Sequence, residues 1–397
     1  MPPRPETHAL ERGWPAAAGR RRVTGAWRGR RESLALAWFF ARRILIRDWR
    51  GLVVTLGACA IAGIIATFQY SVYVSFLTAA SAAPRAIAPQ LWVSAAGVEC
   101  FDFPDVIGED YSAAIQLLVP GARVRRVAFG FVPWRSPDGR RSNIALVGVD
   151  DLSLPPTGFM ADRSDLARLD LAGASPDSSV RGSIGNMTAD FAGARDDLAT
   201  FLGVPYVFVR FTFAREILRL DPASASYLAV DLPDGAGLPN LDALRQRFPE
   251  LSFRTADRFE RDSAGYWQSR TGAGLAILLA AGLATVLMVF LFANGVVRFI
   301  QQYRRDFLSL VGHGAGLREI GLIVALVAAA ILLVVLVASA AAAPLLTLVF
   351  GALLPWVSFH GTDLVVPGVG ALVAFAAAML WAKRLLAGYA PDAVFRS

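Results

Sequence analysis

Four long runs without a charged residue constrain this chain more than any other feature. Their positions are 51–83, 271–297, 320–362 and 364–382. Because a helix needs about 20 apolar residues to cross a bilayer, each run is long enough for one membrane span. We therefore predict transmembrane helices at residues 51–79, 271–298, 320–343 and 364–385. The third run ends in a short outer loop, 344–363, because Pro344 and Pro355 are expected to break the helix.

The segment between the first two spans, residues 80–270, has the composition of a soluble domain. Short alternating runs predict strands at 91–94, 124–134, 144–149, 206–213, 227–232 and 251–254. Helical patterns cover 109–118 and 241–248, whereas 154–187, rich in Asp, Ser and Gly, is expected to be loop. The predicted fold class is an α-helical membrane protein with four transmembrane helices and a mixed α/β extracytoplasmic domain between helices 1 and 2.

The charge distribution predicts the orientation. Twelve Arg and four acidic residues precede Gly51, and Arg also exceeds acids in the loop 299–319. By the positive-inside rule these segments and the tail 386–397 are cytoplasmic, while 80–270 and 344–363 face outward. This basic excess suits anionic membrane lipid as a partner and requires no nucleic acid. The first run is longer than a signal-peptide core of about 7–15 residues, so we expect a retained anchor.

The amino-terminal segment divides into two parts. Residues 1–33 have no apolar periodicity and are expected to form a basic, disordered cytoplasmic tail. Residues 34–50 favour an amphipathic helix at the membrane interface. Its expected membrane-interface residues are Trp38, Arg42, Arg43, Arg47, Trp49 and Arg50. The alternative is that this stretch extends the first span.

Several classes of function are excluded by what the sequence lacks. The only lysine is Lys383, so no G-x-x-x-x-G-K-[ST] phosphate loop can form and the chain is not expected to be an ATPase. Residues 81–270 contain no His and one Cys, which offers no nucleophile and base pair. The three His residues are too scattered for a metal site. We expect no catalytic residue, no metal and no cofactor.

A short charged segment separates the second and third spans, within 299–319. Phe307, Leu310 and Val311 lie at i, i+3 and i+4, the spacing of one helix face. Arg304, Arg305 and Asp306 begin this predicted helix, and Gly312 and Gly314 end it. An apolar face on a cytoplasmic loop predicts either a partner surface or packing on the ends of the chain's own helices.

Four stretches in this order resemble the FtsX/MacB-like ABC transporter permeases, most closely the DevC-type permeases. They are FVPWRSPDGRRSNIALVGVD at 131–150, GYWQSRTGAG at 265–274, DFLSLVGHGA at 306–315 and APDAVFRS at 390–397, whose last motif rests on Pro391, Phe395 and Arg396. The chain departs from the motif where Leu308 replaces a usual Gly, Val311 replaces a usual Lys, and His313 is unusual.

The resemblance implies the membrane subunit of an ABC-type exporter or mechanotransmission complex in the bacterial inner membrane, with both termini cytoplasmic. A homodimer would carry a cytoplasmic ATPase, a periplasmic adaptor (membrane fusion protein) and an outer-membrane duct, and its cargo would be a lipid, a peptide or another hydrophobic molecule. The implied ATPase-coupling residues are Arg304, Arg305, Asp306, Phe307, Leu310, Gly312 and Gly314. One alternative is an FtsX-like signalling protein that controls a cell-wall hydrolase without transport. The other is an enzyme or receptor that acts without an ATPase.

Overall fold

The computed structural model describes residues 30–47, 49–150, 152–175, 180–233, 235–351 and 353–387. Four helices in these residues are long and apolar enough to cross a membrane, which confirms the predicted number. They cover Leu52–Ala79, Ala273–Gln302, Leu317–Phe350 and Gly361–Ala387. The predicted basic tail as far as residue 29, and the carboxyl-terminal motif, lie outside the described residues.

The chain alternates membrane helices with one block of strands. In chain order the helices are α1 (Arg30–Arg47), α2 (Trp49–Ala79), α3 (Ala82–Ile87), α4 (Ser112–Leu118), α5 (Phe211–Leu218), α6 (Leu241–Arg247), α7 (Ala256–Gly265), α8 (Ala273–Gln302), α9 (Arg304–Gly312), α10 (Leu317–Phe350) and α11 (Val365–Ala387). The strands are β1 (Leu91–Ala95), β2 (Arg123–Arg135), β3 (Arg141–Val149), β4 (Gly158–Asp162), β5 (Arg181–Ile184), β6 (Met187–Arg195), β7 (Tyr206–Arg210), β8 (Tyr227–Asp231) and β9 (Leu251–Thr255). A π-helical turn, Tyr266–Arg270, lies between α7 and α8.

The third membrane helix corrects the predicted break at Pro344. α10 begins at Leu317 and continues to Phe350 with Pro344 inside it. A proline removes one hydrogen bond from the helix ladder, but water cannot satisfy open backbone groups inside a membrane, so continuing the helix is favoured. The helix therefore ends between the two prolines, and Pro355 lies in the loop that follows.

All the strands lie within residues 82–265, which we call the sheet domain. One part of this domain is a four-stranded antiparallel sheet. Its strand order is β9, β1, β8 and the first half of β2. α4 connects β1 to β2, and α6 connects β8 to β9, which is the ferredoxin-like split β-α-β arrangement. The predicted mixed α/β domain is confirmed, and its two helix-then-strand units are α4 with β2 and α6 with β9.

The second half of β2 belongs to a closed ring of six strands. The order around the ring is β2, β3, β7, β4, β6 and β5, and β5 pairs back with β2 at Trp134 and Arg135. Closing the ring removes its free edges. The Trp134 indole is buried, and its Nε1 donates to the Leu169 carbonyl at 3.3 Å. A Cβ on Gly182 would collide with this indole, so β5 can pair beside it only because that residue is glycine.

Two predictions within the sheet domain were wrong. The expected loop 154–187 contains β4, β5 and the first residue of β6. These strands are short and glycine-containing, and they are stabilised by pairing with distant segments, which local composition does not reveal. The strand predicted over 206–213 ends at Arg210, and α5 begins at Phe211. Phe211 and Ala214 are both buried, at the i, i+3 spacing of a helix.

The chain divides into two compact units. One contains the described residues of Met1–Val53, Ala293–Ala330 and Ala376–Ser397, and so includes α1 and α9. The other contains Val54–Phe292 and Ile331–Phe375, and so includes the whole sheet domain. The two candidate functional sites described below lie in different units, one in each.

Candidate functional site

The loop between the second and third membrane helices contains α9 at the position of the predicted short helix. Asp306 lies in its first turn, where the helix dipole favours a negative charge. Gly314 has a φ of 92°, a conformation that glycine adopts without strain. The amides of Gly314 and Ala315 donate to the carbonyls of Val311 and Leu310 at 2.9 and 3.0 Å. The end of α9 is therefore fixed by backbone hydrogen bonds.

Phe307 faces the interior of its own unit. Its side chain is 1% exposed, and its ring centroid lies 6.1 Å from that of Phe299 and 6.4 Å from that of Tyr303. The three aromatic residues follow one another at four-residue spacing from the end of α8 into α9. In this structure Phe307 therefore ties α9 to α8, as in the alternative in which the loop packs on the chain's own helices.

The other predicted coupling residues lie nearer the surface. Leu310 is half-buried, and the exposed members are Arg304, Arg305, Asp306, Gly312 and Gly314. His313 is also exposed, with its Nδ1 2.7 Å from the Ser309 carbonyl oxygen. The exposed surface of α9 is consequently charged at its amino-terminal end and has glycines, without side chains, at its other end.

α1 places four of the predicted membrane-interface residues on its surface. Trp38 is 55% exposed, and Arg42, Arg43 and Arg47 are also exposed. Two alanines on another face, Ala37 and Ala41, are buried. α1 ends at Arg47, so Trp49 and Arg50 belong to α2 instead, and their side chains lie outside the described part of the chain.

A second site, which the sequence analysis did not predict, is built around the carboxylate of Asp102. The side chain is 1% exposed. It accepts hydrogen bonds from Tyr206 Oη at 2.6 Å and from Trp267 Nε1 at 2.8 Å. Burial raises the pKa of Asp102 above the usual range of a carboxyl group, while the two hydrogen bonds act in the opposite direction. The carboxylate joins β7 to the π-helical turn that precedes α8.

Aromatic rings extend this site towards the membrane helices. The Phe201 ring centroid lies 4.6 Å from that of Phe76, in α2, and 4.8 Å from that of Trp267. The Phe76 ring centroid also lies 6.3 Å from that of Trp356, which is in the loop between α10 and α11. We call Phe76, Asp102, Phe201, Tyr206, Trp267 and Trp356 the junction cluster. Within one unit, it connects the sheet domain to α2, to the turn that precedes α8 and to the loop between α10 and α11.

A hydrogen-bond pair reinforces the same connection. Ser75 Oγ donates to the Ser358 carbonyl at 3.0 Å and accepts from the Ser358 amide at 3.1 Å. The Gln268 side chain donates to Tyr73 Oη at 2.8 Å. The sequence signals for this region are an acid between two phenylalanines, at 101–103, and the adjacent Tyr266 and Trp267 within the stretch GYWQSRTGAG.

Neither site has the chemistry of a metal centre. Among the described residues, no group of three or more His, Cys, Asp or Glu side chains is arranged to hold a metal ion. Cys59 and Cys100 are both free and buried.

Comparison with known proteins gives similarity in fold only. No protein-family model matches the chain, and no curated protein matches it. The periplasmic region of MacB from Actinobacillus actinomycetemcomitans aligns at 8% identity and a TM-score of 0.33, over 43% of this chain and 90% of that one. The extracellular domain of the noncanonic ABC-type transporter YknZ from Gram-positive bacteria aligns at 11% identity and a TM-score of 0.31, over 42% and 99%. At these values the two likenesses establish neither a family nor an activity for this chain.

Proposed function

We propose that this chain is the membrane subunit of an ABC-type export or mechanotransmission complex. A separate cytoplasmic ATPase supplies the energy, and the sheet domain on the other side of the membrane performs the movement. The support is the order of elements, with one membrane helix, the sheet domain and then three membrane helices, together with the motif resemblance of residues 306–315. The proposal also states that the chain is a DevC-type permease and that it forms a homodimer. It lies in the bacterial inner membrane with both termini in the cytoplasm.

The attachment of α9 to α8 carries this proposal. Phe307 is seated against Phe299 and Tyr303, so a force on the charged face of α9 is passed to the end of α8. α8 is a continuous helix of 30 residues, about 45 Å long at 1.5 Å per residue. At its other end lies the π-helical turn, where Trp267 holds Asp102. α8 is thus suited to move the sheet domain when α9 moves.

Within this proposal the coupling residues have different roles. Phe307 anchors α9 within the chain, whereas Arg304, Arg305 and Asp306 contact the ATPase and set its orientation. Leu310 and the glycines Gly312 and Gly314 shape the far end of the contact. Because the single lysine is Lys383, a phosphate loop has to come from another chain, and this chain itself does not hydrolyse ATP. A periplasmic adaptor, an outer-membrane duct and a hydrophobic cargo complete the proposed export route.

Exchanging two neighbouring charges tests the ATPase contact. The Arg305→Glu, Asp306→Arg variant keeps the net charge and keeps an acid in the first turn of α9, so the helix should persist. Charged pairs across an interface fix register, and reversing them is costly. We expect at least a ~10-fold weaker retention, equivalent to ~1.4 kcal/mol, of a co-expressed ABC-type ATPase that co-purifies with the native chain in detergent.

Arg318→Glu serves as the matched control, since Arg318 is exposed in the same loop but lies in α10. It should retain the ATPase. Equal retention by the exchanged variant and the native chain would contradict the proposed contact. ATP turnover by the purified chain without a partner would overturn the proposed function as a whole.

A further inference from the structure

A groove lies between α1 and α9 in the same compact unit. Its volume is about 590 Å³, within the range of about 300–1,000 Å³ typical of ligand pockets. α1 lines it with Phe40, Arg43, Ile44 and Arg47, and α9 and its flanks line it with Tyr303, Asp306, Phe307, Ser309 and Leu310, with Ile323 from α10. Each helix contributes positions i, i+3, i+4 and i+7, so two complete helix faces are directed to one space.

The side chains that line the groove are mostly apolar, and two of them are cationic. Arg43 and Arg47 are exposed, and within the described part of the chain neither forms an ion pair. The opposing charge in the groove is the single carboxylate of Asp306, which leaves an excess positive charge. Guanidinium groups bind phosphate through paired, charge-assisted hydrogen bonds. The chemistry of the groove is therefore complementary to a phosphate carried on an apolar group.

The neighbouring segments place this groove at a membrane boundary. α1 ends at Arg47, five residues before the first span begins at Leu52, and α9 begins two residues after the second span ends at Gln302. The third span starts at Leu317. Phospholipid headgroups lie at this level of the bilayer, and basic side chains beside a span attract the anionic ones.

We propose that this groove is a binding site for one anionic phospholipid per chain, with the phosphate held by Arg43 and Arg47 and the adjoining apolar part held by Phe40, Ile44 and Leu310. The bound lipid bridges α1 and α9 and so fixes the position of the helix that carries the coupling residues. The proposal concerns binding by this chain alone and does not depend on the proposed permease function.

Lipid titration of the purified full chain tests the site. The chain is stripped of lipid in a neutral detergent and titrated separately with phosphatidylglycerol, phosphatidylcholine and inorganic phosphate, and bound adducts are counted by native mass spectrometry. We expect one tightly bound phosphatidylglycerol, and much weaker binding of phosphatidylcholine and free phosphate. Arg43→Gln with Arg47→Gln should weaken phosphatidylglycerol binding by about 10-fold or more, or ~1.4 kcal/mol.

Arg42→Gln is the matched control, because Arg42 is exposed on the same helix but does not line this groove. It should change the affinity by less than about 2-fold, far below the ~10-fold that 1.4 kcal/mol represents. Leu310→Trp is a second variant, which fills the groove and leaves both arginines in place, and it should also displace the lipid. Circular dichroism and size-exclusion chromatography verify that each variant is folded.

Three results would overturn the proposal. Equal weakening by Arg42→Gln would show a diffuse attraction of α1 to anionic surfaces. Equal affinity for phosphatidylcholine would show a purely apolar groove. Full phosphatidylglycerol binding by the double variant, or by Leu310→Trp if the double variant does not fold, would show that the lipid binds elsewhere.

Discussion

Two buried carboxylates of the sheet domain differ in how their oxygens are satisfied. Both oxygens of Asp102 accept hydrogen bonds. Asp165 has a side chain that is 0% exposed, and Arg168 donates to its Oδ1 at 3.0 Å, but its Oδ2 has no hydrogen-bond partner among the described residues. Burial raises the pKa of Asp165 to about 6, although Arg168 acts to lower it. An ionised Asp165 is consequently an incompletely compensated charge.

The raised pKa of Asp165 predicts a pH-dependent stability. The folded-state pKa exceeds the unfolded value of about 3.9, so the contribution of this group is fully present below pH ~4 and is lost as the pH rises through about 6. Asp165→Asn removes the titration. The free energy of unfolding of the native chain relative to the variant should fall by about 2 kcal/mol between pH 4 and pH 7. Chemical unfolding of the full chain in detergent at both pH values measures it, and a difference that does not vary with pH would contradict the assignment.

At the scale of elements, the junction cluster decides how the sheet domain is held. The sheet domain is joined covalently to the membrane helices at α2 and at α8, and two flexible connections would leave it free to tilt. A hydrogen-bonded contact between β7 and the π-helical turn restricts this tilting. It is formed by Asp102, Tyr206 and Trp267. The Phe76, Phe201 and Trp356 rings pack beside it. The cluster therefore connects the sheet domain to the neighbouring membrane-helix ends through buried contacts.

A double-mutant cycle tests whether the junction acts as one unit. Tyr206→Phe and Asp102→Asn each disturb the same hydrogen bond, so their destabilising effects should not add. We expect a coupling energy of about 1–3 kcal/mol, measured from denaturant unfolding of the full chain. Tyr227→Phe is the control, because Tyr227 is equally buried but donates to the Phe101 carbonyl at 2.8 Å. Additive effects of Tyr206→Phe and Asp102→Asn would show that the carboxylate and phenol act independently.

At the scale of the whole molecule, the sequence predicts that the sheet domain and the α9 loop lie on opposite sides of the bilayer. The first helix leads into the sheet domain, and the second leads away from it into α9. Since each passage through the membrane reverses the side, this separation follows from the helix count. By the positive-inside rule, the excess of arginine around α1 and α9 predicts that their side is cytoplasmic.

This orientation can be measured directly. A reporter inserted near Ser175 should be accessible from outside the cell, and one near Gly314 should be accessible only from the cytoplasm. Alkaline phosphatase and fluorescent-protein insertions report the two sides with opposite signals. The reversed pattern would place α9 outside and remove any access to a cytoplasmic ATPase.

The sequence by itself determined the membrane helices, because the length of an uncharged run and the cost of burying charge in lipid are local properties. It also determined the short helix of residues 304–312, since the glycines and the i, i+3, i+4 spacing are local signals. The strands of the four-stranded sheet were also predicted, because short runs rich in β-branched and aromatic residues between turn residues are a local signal. β9 alternates at its start, whereas β1 and β8 are buried along most of their length.

Only the tertiary structure decided the features that depend on distant partners. The strands β4 and β5 lack a strong pattern and exist because β6, β7 and β2 supply their hydrogen bonds. The sequence predicts that Phe307 lies on an apolar helix face. Only the packed structure shows that this face contacts Phe299 of the same chain. Asp102 becomes a buried acceptor only when Tyr206 and Trp267, more than 100 residues away, are brought to it. Local patterns fix which residues avoid water, whereas the choice among possible partners is made by long-range contacts.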